Sequence, residues 1–392
     1  MTSPCVLVTD GEHRSVLAAC RGLAAAGYRV AISSDERFSV AQWSRFTRER
    51  IALAGPRSDP DGYVARLADL LSEGGYDVVV AGTDPSLITI SEGRKQIEPH
   101  ARLGLPSHET VLESLDKQMF QRRAERAGLA PPRSIDCSSW PQMQAAAREI
   151  GFPLVAKPAA SWVWTDSRLR ERGPRVMEDA ASLEEDATGW PLTVQQYLPD
   201  AKIVSCAGVH ADGKLLGFTV VRYERAFPPP SAKAALAVTI APPPMLRERV
   251  EALLAEIGWA GIFELELLEL EAGLGAIDFN PRPFGWMALS IAAGANLPAI
   301  WCDHVLGRSG VSTGDARVGR YFRREDAELR SVAAHLRRWR LRDAAAVLRP
   351  HRRVAHAYFR LDDPGPMVGR LLSAAYYRHR LRAHGDRRRR PR

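Results

Sequence analysis

The chain predicts a multidomain protein that joins an α/β part, an α+β part and a basic C-terminal helical extension, and three observations carry that expectation. Near-continuous apolar strands alternate with helix patterns over the first hundred residues. Paired strand signals with hairpin turns dominate the stretch from about 192 to 282. Arginine then takes over: Arg320 to Arg392 holds 21 Arg, no Lys and 7 Asp or Glu, a local charge of +14. The preceding residues therefore sum to −6 within a total of +8, so basicity belongs to the extension. At 392 residues the chain exceeds one typical core, and two or three domains are expected.

The elements follow in order. Residues 5–10 (CVLVTD) read as a buried strand, and a helix pattern runs from about Ser15 to Ala26, with Gly27 where a helix C-terminal glycine belongs. RVAISSD (29–35) is a second strand, and a helix around Asp61 to Ser72 leads to a third, DVVVAGTD (77–84). Such strands imply a parallel sheet covered on both faces. Ligands of these sheets sit beyond the strand C-termini, where Thr9, Asp10, Gly11, Thr83 and Asp84 fall. Capping and turn formation explain each of those residues equally well.

A helix over 108–127 makes a transition, and Pro131-Pro132 opens a new region. PLVAKPAA (153–160), LTVQQYLP (192–199) and residues 202–223 are strand-like, the last with a hairpin signal at Asp212-Gly213. A helix over 245–257 precedes a second hairpin, and one over 286–306 follows it. The arginine-rich extension has helix-compatible segments at 326–347 and 366–383 and ends in RRRRPR, expected to be disordered. The domain division this gives is 1–107, 108–200, 201–319 and 320–392.

No stretch approaches the roughly 18 uninterrupted apolar residues that span a bilayer. The opening MTSPCVLVTDG enters a strand pattern at once, without a signal-peptide layout. The five cysteines are scattered without CxxC spacing, which fits reduced thiols and a cytoplasmic setting. No P-loop and no GxGxxG occurs, and nothing marks a reader of specific nucleic-acid sequence.

The chemistry concentrates in GIFELELLELEAGLGAIDFNPR, Gly261 to Arg282. Side chains alternate along a strand, so Phe263, Leu265 and Leu267 oppose Glu264 and Glu266. In the second run Ile277 and Phe279 oppose Asp278, Asn280 and Arg282, and the connection Glu271 to Gly275 suits a hairpin. Pairing gathers carboxylates, an amide oxygen and a guanidinium over one patch. Hard oxygens of this kind suit Mg²⁺ with phosphates in its other positions. A solvated sheet face is the plainer reading, and Asn280-Pro281-Arg282 after the alternation weighs against it.

Asp278-Phe279-Asn280-Pro281-Arg282, with Glu266 upstream, resembles the metal-binding hairpin of the ATP-grasp ligase superfamily, where Glu usually stands in place of Asp278. Lys117 in SLDKQMF and Lys157 in PLVAKP resemble that family's two phosphate-binding lysines. VQQYLP (194–199) resembles its hinge strand, whose backbone meets the adenine, through Gln195, Gln196, Tyr197 and Leu198. Two departures stand out. Lys202 lies near the place of a ribose-binding Glu, and AASWVWTDSRLRERGPRVMED replaces the glycine-rich phosphate loop. Arg168, Arg170, Arg172 or Arg175 supplies a clamp there or is simply solvated. Arg222, Arg225 and Pro228 match an Arg-x-x-Arg-x-x-Pro segment of predicted ATP-grasp carboligases, and Asp363-Pro364-Gly365-Pro366 matches their C-terminal Asp-Pro-x-Pro. The resemblance covers about residues 4–310, nearest the carbamoyl-phosphate-synthase-like branch. It implies a Rossmann-like pre-ATP domain, a lid and an antiparallel ATP-binding sheet.

It also implies ATP with Mg²⁺, Mn²⁺ serving as a substitute, and ligation of a small-molecule carboxylate to an amine, less often a thiol, through an acyl phosphate. Glu266, Asp278 and Asn280 would hold the metal, with Glu264 as an extra ligand. Arg282 would stabilise charge on the transferring group, and Arg222 and Arg225 would grip the acceptor carboxylate. FGWM (284–287) reads as pocket lining or as core. Homodimers are common among such enzymes. One rival is a degenerate, non-catalytic nucleotide-binding scaffold. Another makes the arginine-rich tail the functional part, giving it weak contact with an anionic surface.

Overall fold

A computed structural model describes residues 3–165, 168–183, 189–227, 233–308 and 314–388. The N-terminal sheet is parallel, in the order Glu49–Ile51, Arg29–Ser33, Cys5–Val8, Val78–Val80. Alternation splits its apolar residues between two cores. Cys5 and Leu7 pack with the helix Pro60–Ser72, while Val6 and Val8 pack with the helix Arg14–Ala25. Burial on both faces is why these strands read as continuous apolar runs. Glu49–Ile51 is absent from the sequence reading because it is a short, charged edge strand.

The helix expected over 108–127 is two, His108–Leu115 and Lys117–Arg126. Asp116 takes extended backbone (ψ 111°), and its carboxylate accepts from the amides of Gln118 and Met119, each at 2.9 Å. This cap breaks the helix and ties it to the next unit. Asp116 bridges Ala160, and the Lys117 amide donates to the Ala159 carbonyl at 2.8 Å.

A four-stranded antiparallel sheet follows, ordered Ser134–Cys137, Leu192–Gln196, Leu154–Pro158, Arg175–Met177. The helix Trp140–Ile150 contributes Met143, Ala146 and Ala147 to its small core. The segment that replaces the glycine-rich loop is a β-hairpin, Trp162–Thr165 with Arg168–Glu171. It rests on the N-terminal region: the Arg57 guanidinium lies 4.6 Å over the Trp162 ring, and the Leu169 amide donates to the Arg57 carbonyl at 2.8 Å.

Seven strands form the largest sheet, ordered Gly273–Asn280, Gly261–Leu270, Ile203–Ala211, Lys214–Ala226, Ala234–Ile240, Tyr321–Arg323, Val354–His356. All neighbours are antiparallel except the last pair. Asp212 (φ 50°) and Gly213 (φ 73°) form the expected hairpin turn, with positive φ at both central residues. The Glu271–Gly275 connection tightens to two residues, because Leu270 already pairs with Gly273. The helix expected over 286–306 is broken into Met287–Ala293 and Leu297–Leu306 at Gly294, whose φ of 108° suits glycine alone. One sheet face packs on the helix Leu246–Ile257, the other on Met287–Ala293 and Leu297–Leu306.

The basic extension is bound into this body. It adds the strands Tyr321–Arg323 and Val354–His356, neither visible in the charge pattern, and the helices Glu325–Arg337, Leu341–Val347 and Gly365–Arg388. Of the terminal RRRRPR, the last four residues lie outside the described ones.

Candidate active site

The hairpin Gly261–Leu270 with Gly273–Asn280 sets Glu264 opposite Asn280 and Glu266 opposite Asp278. The pairing then shifts by one residue, since Leu267 faces Ala276. Ile277 occupies this bulge. Alternation places Ile277 on the apolar face beside Phe279; instead Ala276 packs in the core with Phe279, and Ile277 is half-buried. The bulge turns the Ile277 carbonyl toward Lys157, whose Nζ donates to it at 3.2 Å.

Around the four polar side chains the contacts are few and long. Glu264, 5 % exposed, accepts from Ser205 Oγ at 3.2 Å, Asn280 Nδ2 at 3.3 Å and Tyr223 OH at 3.4 Å. The same Tyr223 hydroxyl lies 3.3 Å from Glu266 Oε1. Lys117 Nζ lies 3.3 Å from Asp278 Oδ1. Burial pushes the Glu264 carboxyl up to about 7, against the pull of Arg282. Burial, then the Glu264 and Asp278 carboxylates, hold Glu266 well above the usual carboxylate range. Burial and the Lys117 ammonium lower Lys157 to about 8, against Asp278 and Glu266. Anions short of cations beside cations short of anions mark a site built for more charge than the chain itself brings.

Arg282 is fixed by a bidentate pair with Asp84, Nε to Oδ1 at 2.5 Å and Nη2 to Oδ2 at 3.1 Å, and its Nη2 also donates to Asn280 Oδ1 at 2.9 Å. Asp84 lies in the first turn of the helix Asp84–Glu92, which Thr83 caps. Of the strand-end residues, Asp84 therefore reaches the site while Thr83 is a cap. Asp10 braces the loop, accepting from Thr9 Oγ1 at 2.6 Å, Ser86 Oγ at 2.8 Å and the Gly82 amide at 3.2 Å.

A cleft of about 200 Å³ opens between Lys117, Trp162, Asp84 and the Asp278–Asn280 strand, with Leu112, Leu115 and Phe120 as its apolar wall. Lys117, Asp278 and Asn280 line it directly. A shallower groove bordered by Arg102, Trp301 and His304 has no such carboxylate set. Among the described residues no three His, Cys, Asp or Glu side chains close into a metal cage. Asp278 is instead neutralised by Lys117. The donor set nonetheless fits a hard divalent cation, because oxygens from Glu264, Glu266, Asp278 and Asn280 share one face.

At the hinge, the Gln195 side chain donates to Ser134 Oγ at 2.8 Å, the Gln196 amide to the Arg133 carbonyl at 2.9 Å and the Tyr197 amide to the Pro153 carbonyl at 3.2 Å. The Leu198 amide has no acceptor among the described residues. Lys202 pairs with Glu269 at 3.5 Å, so a carboxylate from the neighbouring strand stands beside it.

The two acceptor arginines are not brought to the carboxylates. Arg222 is in register with Val204 and Val238, on the face opposite Tyr223, and pairs with Glu224 at 2.8 Å. Arg225 is engaged by Glu328 of the extension. Pro228 lies outside the described residues. Phe284 and Trp286 are core, at 0 % and 1 % exposure. Arg168, Arg170 and Arg175 are exposed and Arg172 is half-buried. Sequence reasoning missed Ser205 and Tyr223. Tyr223 sits two residues beyond Val221 on the carboxylate face, but only the strand register discloses this.

No family model matches the chain. The carbamoyl phosphate synthase large chain of Vibrio parahaemolyticus is 28% identical over 226 residues, 53% of this chain and 20% of that protein. That of Saccharolobus solfataricus is 23% identical over 163 residues, 42% of this chain and 15% of that one. The matches thus span about one-fifth or less of the length of these curated relatives. Among solved structures, N5-carboxyaminoimidazole synthetase from Staphylococcus aureus superposes with a TM-score of 0.61 at 13% identity, covering 82% of this chain and 83% of that one. Biotin carboxylase from Campylobacter jejuni gives 0.61 at 17% identity, covering 81% and 74%. L-amino acid ligase from Bacillus licheniformis gives 0.59 at 14%, covering 78% and 75%. The chain has the ATP-grasp fold. Within that class its sequence likeness runs to the carbamoyl phosphate synthase large chains.

Proposed function

We propose that this chain is an ATP-dependent ligase that activates a small-molecule carboxylate as an acyl phosphate and joins it to an amine. The observation that carries the reading is the meeting of under-compensated carboxylates on the Gly261–Asn280 hairpin with Lys117 and Lys157 in one place. Related folds support ATP as co-substrate: a second structure of the Staphylococcus aureus synthetase holds ADP, and a biotin carboxylase domain from Hydrogenobacter thermophilus holds MgADP.

Glu266, Asp278 and Asn280 would hold Mg²⁺, or Mn²⁺ in its place, with Glu264 as a further oxygen. The metal would supply charge neutralisation to the nucleotide phosphates. Lys117, released from Asp278, and Lys157 take the phosphates, and the backbone of Gln195–Leu198 meets the adenine edge. Arg282, oriented by Asp84, faces the transferring phosphoryl with a planar fork of donors. The γ-phosphoryl passes from ATP to the carboxylate oxygen, and ADP leaves as the bond to the β–γ bridging oxygen breaks. The amine then attacks the acyl carbon, releasing inorganic phosphate and a proton. Positioning and charge do the catalysis, with no protein nucleophile.

Finer points stand on the same footing. Domain boundaries fall near 107, 200 and 319, the last part lending two strands to the large sheet. The setting is cytoplasmic, supported by five free, buried cysteines. Among the described residues no helix is long and apolar enough to cross a membrane. A homodimer is in keeping with the Hydrogenobacter domain, which is a dimer. The terminal arginine run makes weak anionic-surface contact.

The test is ADP release over a panel of carboxylic acids and amines. Release that requires both, and is lost in a folded Asp278→Ala protein, upholds the ligase. ATP binding by calorimetry with no phosphate release across the panel favours a non-catalytic scaffold.

A further inference from the structure

We propose that the turn joining the helices Glu325–Arg337 and Leu341–Val347 docks the protein on an anionic lipid surface. All seven residues from Leu336 to Arg342, LRRWRLR, are exposed. Trp339 is 86 % exposed and takes a left-handed backbone (φ 56°), while Leu341 is 61 % and Leu336 48 % exposed. Tryptophan is ordinarily well covered in a folded chain, so an exposed one flanked by exposed leucines marks an interaction site rather than surface noise. Arg340 is held by Asp343 at 2.5 Å. Arg337, Arg338 and Arg342 have no ion-pair partner among the described residues.

The turn thus offers exposed apolar and cationic groups interspersed over seven residues. A bilayer surface answers both: the headgroup–acyl boundary receives Trp339 and the leucines, and lipid phosphates receive the arginines. Single-stranded nucleic acid would engage Trp339 and the arginines but leave Leu336 and Leu341 in water. The surface is separate from the terminal arginine run and independent of the ligase reading.

Co-sedimentation of the full chain with vesicles tests this. Vesicles with about one-third phosphatidylglycerol in about 0.1 M salt are expected to bring the protein down, pure phosphatidylcholine vesicles are not, and about 1 M salt releases it. Combining Arg337→Gln, Arg338→Gln and Arg342→Gln is expected to weaken binding about a hundredfold, roughly fivefold per arginine. Trp339→Ser alone costs about tenfold. A chain ending at Arg388, which lacks only the weak contribution of the terminal run, is expected to lose much less binding than the triple turn variant does. All these positions are exposed, and unchanged thermal melts verify that each variant folds. Four results would each overturn the proposal: no sedimentation with anionic vesicles, equal retention on phosphatidylcholine, loss on truncation with the turn variants unaffected, or tighter capture by single-stranded RNA that Leu341→Ser leaves unchanged.

Discussion

Two buried charge clusters in this molecule look alike by composition and differ in how they are completed. Where the extension meets the first sheet, Asp363 is 1 % exposed and accepts from Arg21 Nε at 2.9 Å, Ser44 Oγ at 2.7 Å and the Arg45 amide at 2.8 Å. Arg21 Nη2 donates to the carbonyls of Tyr358 and Asp363, at 2.9 Å and 3.2 Å. On the Gly261–Asn280 hairpin, Glu264 and Glu266 share one phenol between them, and among the described residues Lys157 donates only to a carbonyl. The first cluster is closed and fastens Asp363-Pro364-Gly365-Pro366 against the body. The second is open to charge from outside. Buried ion pairs of the closed kind resist loss of either partner, whereas perturbed, incompletely paired groups are where ligands act.

Substitutions should separate the two clusters. The largest effect is expected at Asp278→Ala, with carboxylate-dependent ADP release falling about 10³-fold while the melting temperature stays close to wild type. Asp363→Ala should do the converse, removing about 3–5 kcal/mol of stability by leaving Arg21 unpaired in the interior, with turnover per folded molecule retained. Chemical denaturation and steady-state kinetics on both variants read the contrast. Arg282→Lys keeps the charge but loses the bidentate fit to Asp84, and about a 10²-fold fall in kcat is expected.

Stability against pH sharpens the comparison further. Burial pushes both Glu264 and Glu12 up to about 7. Between the unfolded carboxyl value and about 7 the folded chain holds these protons and the unfolded chain does not. Their contribution is therefore full at acid pH and is lost as pH rises through about 7. The melting temperature of the nucleotide-free protein should decline from about pH 5 to about pH 8. Mg²⁺ with ADP should flatten the part due to Glu264 and leave the part due to Glu12. The smallest effect is expected at the exposed Arg133–Glu149 pair, where Arg133→Ala should shift stability by less than about 1 kcal/mol.

Much of the fold and the heart of the site were legible in sequence because they rest on short-range periodicity. Alternation in FELEL and DFNPR identifies the polar face, and apolar strands between helices identify the parallel sheet. Local pattern fails where distant groups decide the outcome. The carboxylate of Asp116 interrupts a helix that periodicity reads as continuous, and in doing so it sets Lys117 at the mouth of the cleft. The bulge at Ile277 appears only once two strands are in register. Arg225 looks free until Glu328, 103 residues away, closes on it. Tyr321–Arg323 is hidden in an arginine-rich stretch because its partner, Ala234–Ile240, supplies the hydrogen bonds that three residues cannot specify alone.

The proposal that oxygens on two adjacent strands hold the metal of a nucleotide complex is tested most directly by anomalous scattering from crystals grown with Mn²⁺ and ADP. Manganese peaks about 2.1 Å from the Glu266, Asp278 and Asn280 oxygens, with Lys117 swung from Asp278 to phosphate, are the expected result. Manganese bound elsewhere, with Lys117 still on Asp278 beside an ordered nucleotide, would contradict it.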